Sequence, residues 1–270
     1  MWRSVLALAV GLAVLLPSSA SAQFTPQGSE PAWGESFVVE FGAFYWNPTP
    51  ELVVRTETLN ILGSAIDLVD DLGVERKRLP DLRFVLRPAR KHKFRVAYSP
   101  IEYTTESVLR RSIVFNGTTY QVGIPVNSVF EWKTWRFGYE YDFVARERGY
   151  VGVIADVKYT QVEMAIASPL RAETVKATAP IPSIGGTFRV YPVPMVALTG
   201  EVTGVRLPGS LTDGDETADY LDWDLYATVN FGRHVGAQVG YRTLDVSFRY
   251  DEEFGDMKMK GPYFGGVVRF

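Results

Sequence analysis

The sequence predicts an all-β fold: a single antiparallel up-and-down transmembrane β-barrel of about ten strands, with eight or twelve as the alternatives. Three observations carry this. Apolar and polar residues alternate at a period of two in segment after segment, the spacing that places one set on one face of a strand. The connections between these segments are short and long in turn. Beyond residue 16 no apolar run reaches the length of a membrane helix. A barrel is the membrane class that such a scan misses, because its apolar residues fill only every second position.

The chain opens MWRSVLALAVGLAVLLPSSASAQ. Arg3 supplies a positive start, and Ser4–Leu16 is an apolar run too short to span a bilayer. Pro17 breaks the run, and Ala20 and Ala22 are the small residues of a cleavage site. Residues 1–22 are therefore expected to be a secretory signal peptide, 23–34 an irregular periplasmic lead-in and 35–270 the barrel. The chain has no cysteine, which excludes a disulfide scaffold, a thiolate nucleophile and a lipid-modified N-terminal cysteine. Its 28 basic and 31 acidic residues nearly balance, so there is no electrostatic footprint for nucleic acid.

The first strand is expected at Phe37–Trp46, followed by Leu82–Arg87 and Phe94–Tyr98 across the basic turn RPARKHK. In Trp135–Phe143, Trp135, Phe137, Tyr139, Tyr141 and Phe143 share one face, and Arg136, Gly138, Glu140 and Asp142 the other. Val151–Thr160 and Leu221–Phe231 repeat this pattern, and Ile184–Tyr191, Val196–Arg206, Val235–Arg242 and Tyr263–Phe270 complete ten strands. The short connections are Arg87–Lys93, Ala145–Gly149, Pro192–Pro194 and Gly232–His234; the long ones are 47–79, 104–129, 166–181, 207–219 and 251–260. Short turns at one end and long loops at the other is the layout of an outer-membrane barrel, and an even strand count puts both termini at the periplasmic, short-turn end.

Two features leave options open. Within 47–79, Leu52–Leu59 and Ser64–Leu68 either prolong neighbouring strands beyond the membrane or form their own hairpin, and Ala65–Leu72 is a candidate helical turn. Near the long-loop end the alternation slips: Trp132 is out of step with Trp135, Val162, Met164 and Ile166 with Tyr159, and Leu244, Val246 and Phe248 with Tyr241. Either a bulge resets the register or the strand has left the lipid there.

The sequence GPYFGGVVRF places Phe264, Val268 and Phe270 on the lipid face. This strand must pair with the first one, because an open edge in hydrocarbon leaves backbone groups unsatisfied. In this terminal strand, and in pattern along the whole of residues 23–270, the chain resembles bacterial outer-membrane β-barrel proteins. It is most similar to the small monomeric OmpA/OmpW-like barrels. The resemblance implies an integral protein of the Gram-negative outer membrane, a monomer surrounded by outer-membrane lipid and without cofactors. It also implies that the barrel-assembly machinery reads Phe264, Val268 and Phe270. A soluble β-sandwich or lipocalin-like barrel is the competing reading, but its inside would be apolar and its outside charged.

The face opposite the aromatics carries the cations Arg83, Arg95, Arg136, Lys158, Arg189, Arg242 and Arg269, and the anions Glu40, Glu140, Asp142, Asp156, Glu201, Asp222 and Asp224. A barrel of about ten strands is only a little wider than those that side chains fill. The first expectation is thus a lumen plugged by a charge network, serving a structural, surface or ligand-interaction role. The alternatives are a porin-like narrow channel for small solutes, including apolar compounds, and adhesin-like binding through loops 104–129 and 207–219. The two histidines, His92 and His234, fall in short turns, so no serine–histidine pair can stand at the outer rim, and the expected protein is not an enzyme. The acidic clusters Asp213-Gly214-Asp215-Glu216 and Asp251-Glu252-Glu253 are expected to be solvated loops, and no metal site is expected.

Overall fold

Long period-two alternation keeps the backbone extended, and in the computed structural model strands account for most of the chain. The structure describes residues 31–55, 57–58, 61–207, 217–250 and 253–270. The expected signal peptide with Ala20 and Ala22, most of the lead-in, the cluster Asp213–Glu216 and the pair Asp251-Glu252 lie outside the described residues. Residues Ala32–Phe270 form one unit.

In chain order the strands are β1 (Val39–Trp46), β2 (Thr49–Arg55), β3 (Glu57–Thr58), β4 (Ile61–Leu62), β5 (Ile66–Asp67), β6 (Leu79–Ala89), β7 (His92–Val108), β8 (Ile113–Phe115) and β9 (Thr118–Tyr120), then β10 (Pro125–Arg146), β11 (Gly149–Ala167), β12 (Ala172–Val193), β13 (Val196–Leu207), β14 (Thr217–Asn230), β15 (Val235–Tyr250) and β16 (Glu253–Arg269). Ten of them close into an antiparallel barrel in the order β1-β6-β7-β10-β11-β12-β13-β14-β15-β16. The seam runs from Glu40↔Arg269 to Trp46↔Tyr263. Beyond it, the Val38 and Val39 amides donate to the Phe270 carbonyl, and the Phe270 amide donates to Val39. The last strand thus completes the cylinder instead of leaving an edge.

The connection 47–79 uses several of its options. After Asn47 and Pro48, β2 prolongs β1 and pairs with the upper half of β16, from Lys260↔Thr49 to Phe254↔Arg55. β5 adds to β2, and β3 and β4 form a separate hairpin. The Asp71 amide bonds to the Asp67 carbonyl at 2.8 Å, and Gly73 bonds to Val69 at 3.1 Å, making one helical turn.

Two expected loops are corrected. The region 166–181 is mostly strand, with β11 and β12 joined by 168–171, and 251–260 shrinks to two residues between β15 and β16. The expected loop 104–129 is likewise shortened at both ends and holds the β8–β9 hairpin. The cause is an inversion of the apolar face. β10 and β11 stay in register from Asn127↔Ala167 to Tyr141↔Val153, and their shift lies beyond, between Tyr141 and Val144. No bulge separates Trp132 from Trp135. Trp135 points outward, 45% exposed, and Trp132 points inward, 6% exposed. Along the same faces Met164 and Ile166, Leu244 and Val246, and Met257 and Met259 are buried inside.

The barrel wall therefore has two zones. Toward the short-turn end its outside is an apolar band containing Phe41, Phe94, Phe137, Tyr139, Val153, Val157, Leu225 and Phe264. Stacked Tyr98–Trp135 and Trp223–Tyr241 mark its upper rim. Above that rim the outside carries ion pairs, Glu131–Lys133, Glu163–Lys176, Asp245–Lys258 and Glu51–Lys260. The interior there is an apolar core that includes Leu52, Ile66, Leu72, Ile113, Phe115, Phe130 and Trp132.

Candidate functional site

Below the apolar core the lumen is lined by charge. Arg242 on β15 grips Asp222 on β14 through two parallel hydrogen bonds of 2.9 and 2.8 Å. It also reaches Asp81 on β6 at 2.9 Å. Asp81 further accepts from Arg83, at 2.6 Å, and from the Ser99 hydroxyl. Arg83 crosses to Asp224 on β14 at 3.0 Å, and Asp224 also accepts from the Tyr263 hydroxyl at 3.0 Å. Arg95 on β7 joins Glu140 on β10, at 3.0 Å, to Glu201 on β13, at 2.6 Å. Arg136 joins Asp156 on β11 to Glu201, the latter at 2.9 Å. Arg83–Asp224 and Arg95–Glu201 each pass over three intervening strands of the ring, so these contacts span the lumen and do not merely line a wall.

Toward the short-turn end, Lys93 stands 2.6 Å from Glu140 and 2.9 Å from Asp142, the second contact lying off hydrogen-bonding direction. Arg269 bonds Glu40 and, at 2.6 Å, Asn230. Arg189 bonds the Thr199 hydroxyl at 2.8 Å and Glu35 at 3.2 Å. Aromatic faces take up the remaining surface of the cations: Lys93 lies 3.4 Å from the Tyr150 ring centre and Arg83 4.8 Å from that of Phe44. Charges buried at such cost persist because each has an ion-pair partner and most are also hydrogen-bonded; Asp142, paired with Lys93 but without a side-chain hydrogen bond, is the exception. A cavity of about 70 Å³ remains among Arg83, Arg95, Glu201, Asp224 and Arg242. At the roughly 30 Å³ that a water occupies in the liquid, that is room for about two water molecules.

One contact has the form of a nucleophile beside a base. Lys158 Nζ donates to the Ser183 hydroxyl, but Lys158 also pairs with Asp156 at 2.6 Å and Ser183 donates to the same carboxylate. His92 begins β7 and His234 lies in the turn before β15, both at the short-turn end. Phe264, Val268 and Phe270 face outward, 50%, 42% and 69% exposed.

Sequence reasoning missed Asp81, Lys93, Arg87 and Glu35 as interior groups. The strands were expected to begin at Leu82 and Phe94, which left Asp81 and Lys93 in connections. Parity held the signal, since Asp81 shares a face with Arg83, and Lys93 with Arg95. Arg87 closes the expected strand Leu82–Arg87 and shares the parity of Arg83, so it too carried the signal; Glu35 had none, because it precedes the first strand.

No family model matches the chain, and no curated protein matches it in sequence. Solved structures do match. The outer membrane protease OmpT from Escherichia coli is 10% identical, with 86% of this chain and 96% of that chain covered and a TM-score of 0.56. The attachment invasion locus protein Ail of Yersinia pestis is 10% identical over 86% of this chain and 99% of that chain, with a TM-score of 0.39. The P. putida toluene transporter TodX is 11% identical over 96% and 94%, with a TM-score of 0.37. At such identities the likeness is one of fold alone: the chain shares with OmpT the closed antiparallel β-barrel, here of ten strands.

Proposed function

We propose that the chain is an integral outer-membrane protein of a Gram-negative bacterium, and that its barrel is closed to solute flow and holds a rigid lobe at the cell surface. The observation that carries this reading is the two-part filling of the barrel. Cross-lumen ion pairs occupy the membrane-level lumen, and an apolar core stands in line with them at the long-loop end. A hydrated pore needs a continuous polar path. A packed apolar plug of Leu72, Ile113, Phe130 and Trp132 opposes one, which sets the channel reading behind the closed one.

The apolar band on the outside fits lipid, the charged outer face above it fits water, and Phe264, Val268 and Phe270 fit a terminal signal for barrel assembly. The lobe supplies the working surface. It is cored, so its hairpin tips, including Leu170 at 89% exposure, are presented on a fixed frame for a structural or ligand-interaction role. The protein acts as a monomer without cofactor or catalysis. Refolded protein whose insertion is verified by fast mobility of the unboiled sample should give no steady openings in a planar bilayer. Reproducible unitary conductance would overturn the closed-barrel reading.

A further inference from the structure

Residues 32–38 precede β1 and cross the short-turn end of the barrel. The Trp33 amide donates to the Pro194 carbonyl at 3.0 Å, in the turn after β12. β12 stands five places from β1 in the ring of ten, on the opposite wall. Ala32 packs with Tyr191 and Ala197. Gly34 fits because it lacks a side chain: a Cβ there would come within 2.9 Å of Asn230 Oδ1 and Tyr191 Oη, and 3.1 Å of Arg269 Nη1. Phe37 lies against the charged cavity, with the guanidinium carbons of Arg87 and Arg269 at 5.5 and 5.8 Å from its ring centre.

Between these anchors Glu35 occupies a built seat. Its carboxylate accepts from Arg189 Nη1 at 3.2 Å, Arg87 Nη1 at 3.1 Å and the Tyr191 hydroxyl at 2.9 Å. The three donors come from β6 and β12, on different parts of the wall. We propose that Arg87, Arg189 and Tyr191 form an autoinhibited carboxylate-binding site, with Glu35 of this strap as its resident occupant. A free carboxylate of a small organic acid arriving at the short-turn end competes for the seat. When it wins, the strap leaves and the charged chamber opens on that side.

The physical argument is an asymmetry of closure. The long-loop end is shut by an apolar core contributed by many strands and connections. Among the described residues the short-turn end is crossed by one strap, held by the Glu35 carboxylate and by a few hydrogen bonds of its backbone, from Arg87 to the Glu35 and Val38 carbonyls and from the Trp33 amide to Pro194. Ion pairs and hydrogen bonds exchange with competing anions as a packed core does not.

The chain has no cysteine, so one introduced thiol reports access to the chamber cleanly. Ser99 and Thr134 both line it. Ser99→Cys, with Thr134→Cys as the substitute if it does not refold, is exposed to a charged methanethiosulfonate in detergent. Glu35→Gln weakens the hold, and Gly34→Leu expels the strap by crowding Asn230, Arg269 and the Tyr191 hydroxyl. Each should label about tenfold faster than the parent, the factor expected for losing roughly one charge-assisted contact. Succinate should accelerate the parent, and sodium chloride at equal ionic strength should not. Equal rates in parent and both strap variants would overturn the plug; equal effects of succinate and chloride would overturn the carboxylate site.

Discussion

Arg136 shows what a single interior residue does. Its guanidinium holds Asp156 from the neighbouring strand and Glu201 from across the lumen. Arg136→Ala leaves both carboxylates buried with one partner fewer. Breaking such a pair from one side costs about 3–5 kcal/mol, because an uncompensated charge stays in place. The urea midpoint of the refolded protein in vesicles should fall accordingly, and Arg136→Lys should recover only part of it, since a point charge lacks the planar fork. An unchanged midpoint for Arg136→Ala would mean that the network adds nothing to stability. The inward parity of Arg136 and Asp156 is legible in the alternation of Trp135–Phe143 and Val151–Thr160. That Arg136 also meets Glu201 is not legible, because cross-lumen distance depends on barrel closure and side-chain reach, which no local pattern encodes. Glu35 was illegible for a different reason: an isolated carboxylate before the first strand has no periodicity to place it.

At the scale of elements, the turn between β5 and β6 is tied to the β7–β8 connection. Arg111 Nε donates to Asp71 Oδ1 at 2.8 Å, Arg111 Nη2 bonds the other oxygen, and the Asp67 amide donates to Asp71 at 2.9 Å. Partial burial alone would raise the Asp71 carboxyl, but the Arg111 and Asp67 bonds outweigh it and hold the group below its ordinary value of 3.8. A depressed folded-state value stabilises the protein above the unfolded value, and that contribution is lost as the pH falls through the folded one. Protection of this turn from proteolysis should therefore be constant near neutrality and decline below about pH 4. Arg111→Gln should remove that decline; a variant that keeps the parent's acid sensitivity would dissociate it from this pair. The same region shows a limit of sequence reading. The slip at Trp132 and Trp135 was visible, but a bulge and a strand leaving the lipid look alike in one dimension. Only the unbroken β10–β11 register separates them.

For the whole molecule, the inverted apolar face gives the proposed bilayer its height on the wall, and one strand is enough to test it. The outward residues of β11 are Val151, Val153, Ala155, Val157, Tyr159, Gln161 and Glu163 in order from the short-turn end. If lipid covers the band below Tyr159 and water the wall above it, the cost of an outward arginine depends on height alone, since the backbone geometry is the same throughout. Substitution at the midplane of a membrane barrel costs about 2–4 kcal/mol, falling to roughly 0–1 near the interfaces. The free energy of unfolding from vesicles should thus fall most for Val153→Arg and Ala155→Arg, less for Tyr159→Arg, and scarcely for Gln161→Arg. A flat profile would mean that the outward band is not lipid-facing, and a maximum at Gln161 would move the membrane up over the ion pairs. The inner face gives the opposite gradient: Ile154→Arg adds charge to a paired lumen and Met164→Arg buries one in an apolar core, so the second should be the costlier of the two. Crossing gradients on the two faces of one strand are what a barrel half in lipid and half in water requires, and a soluble barrel would show only the inner one.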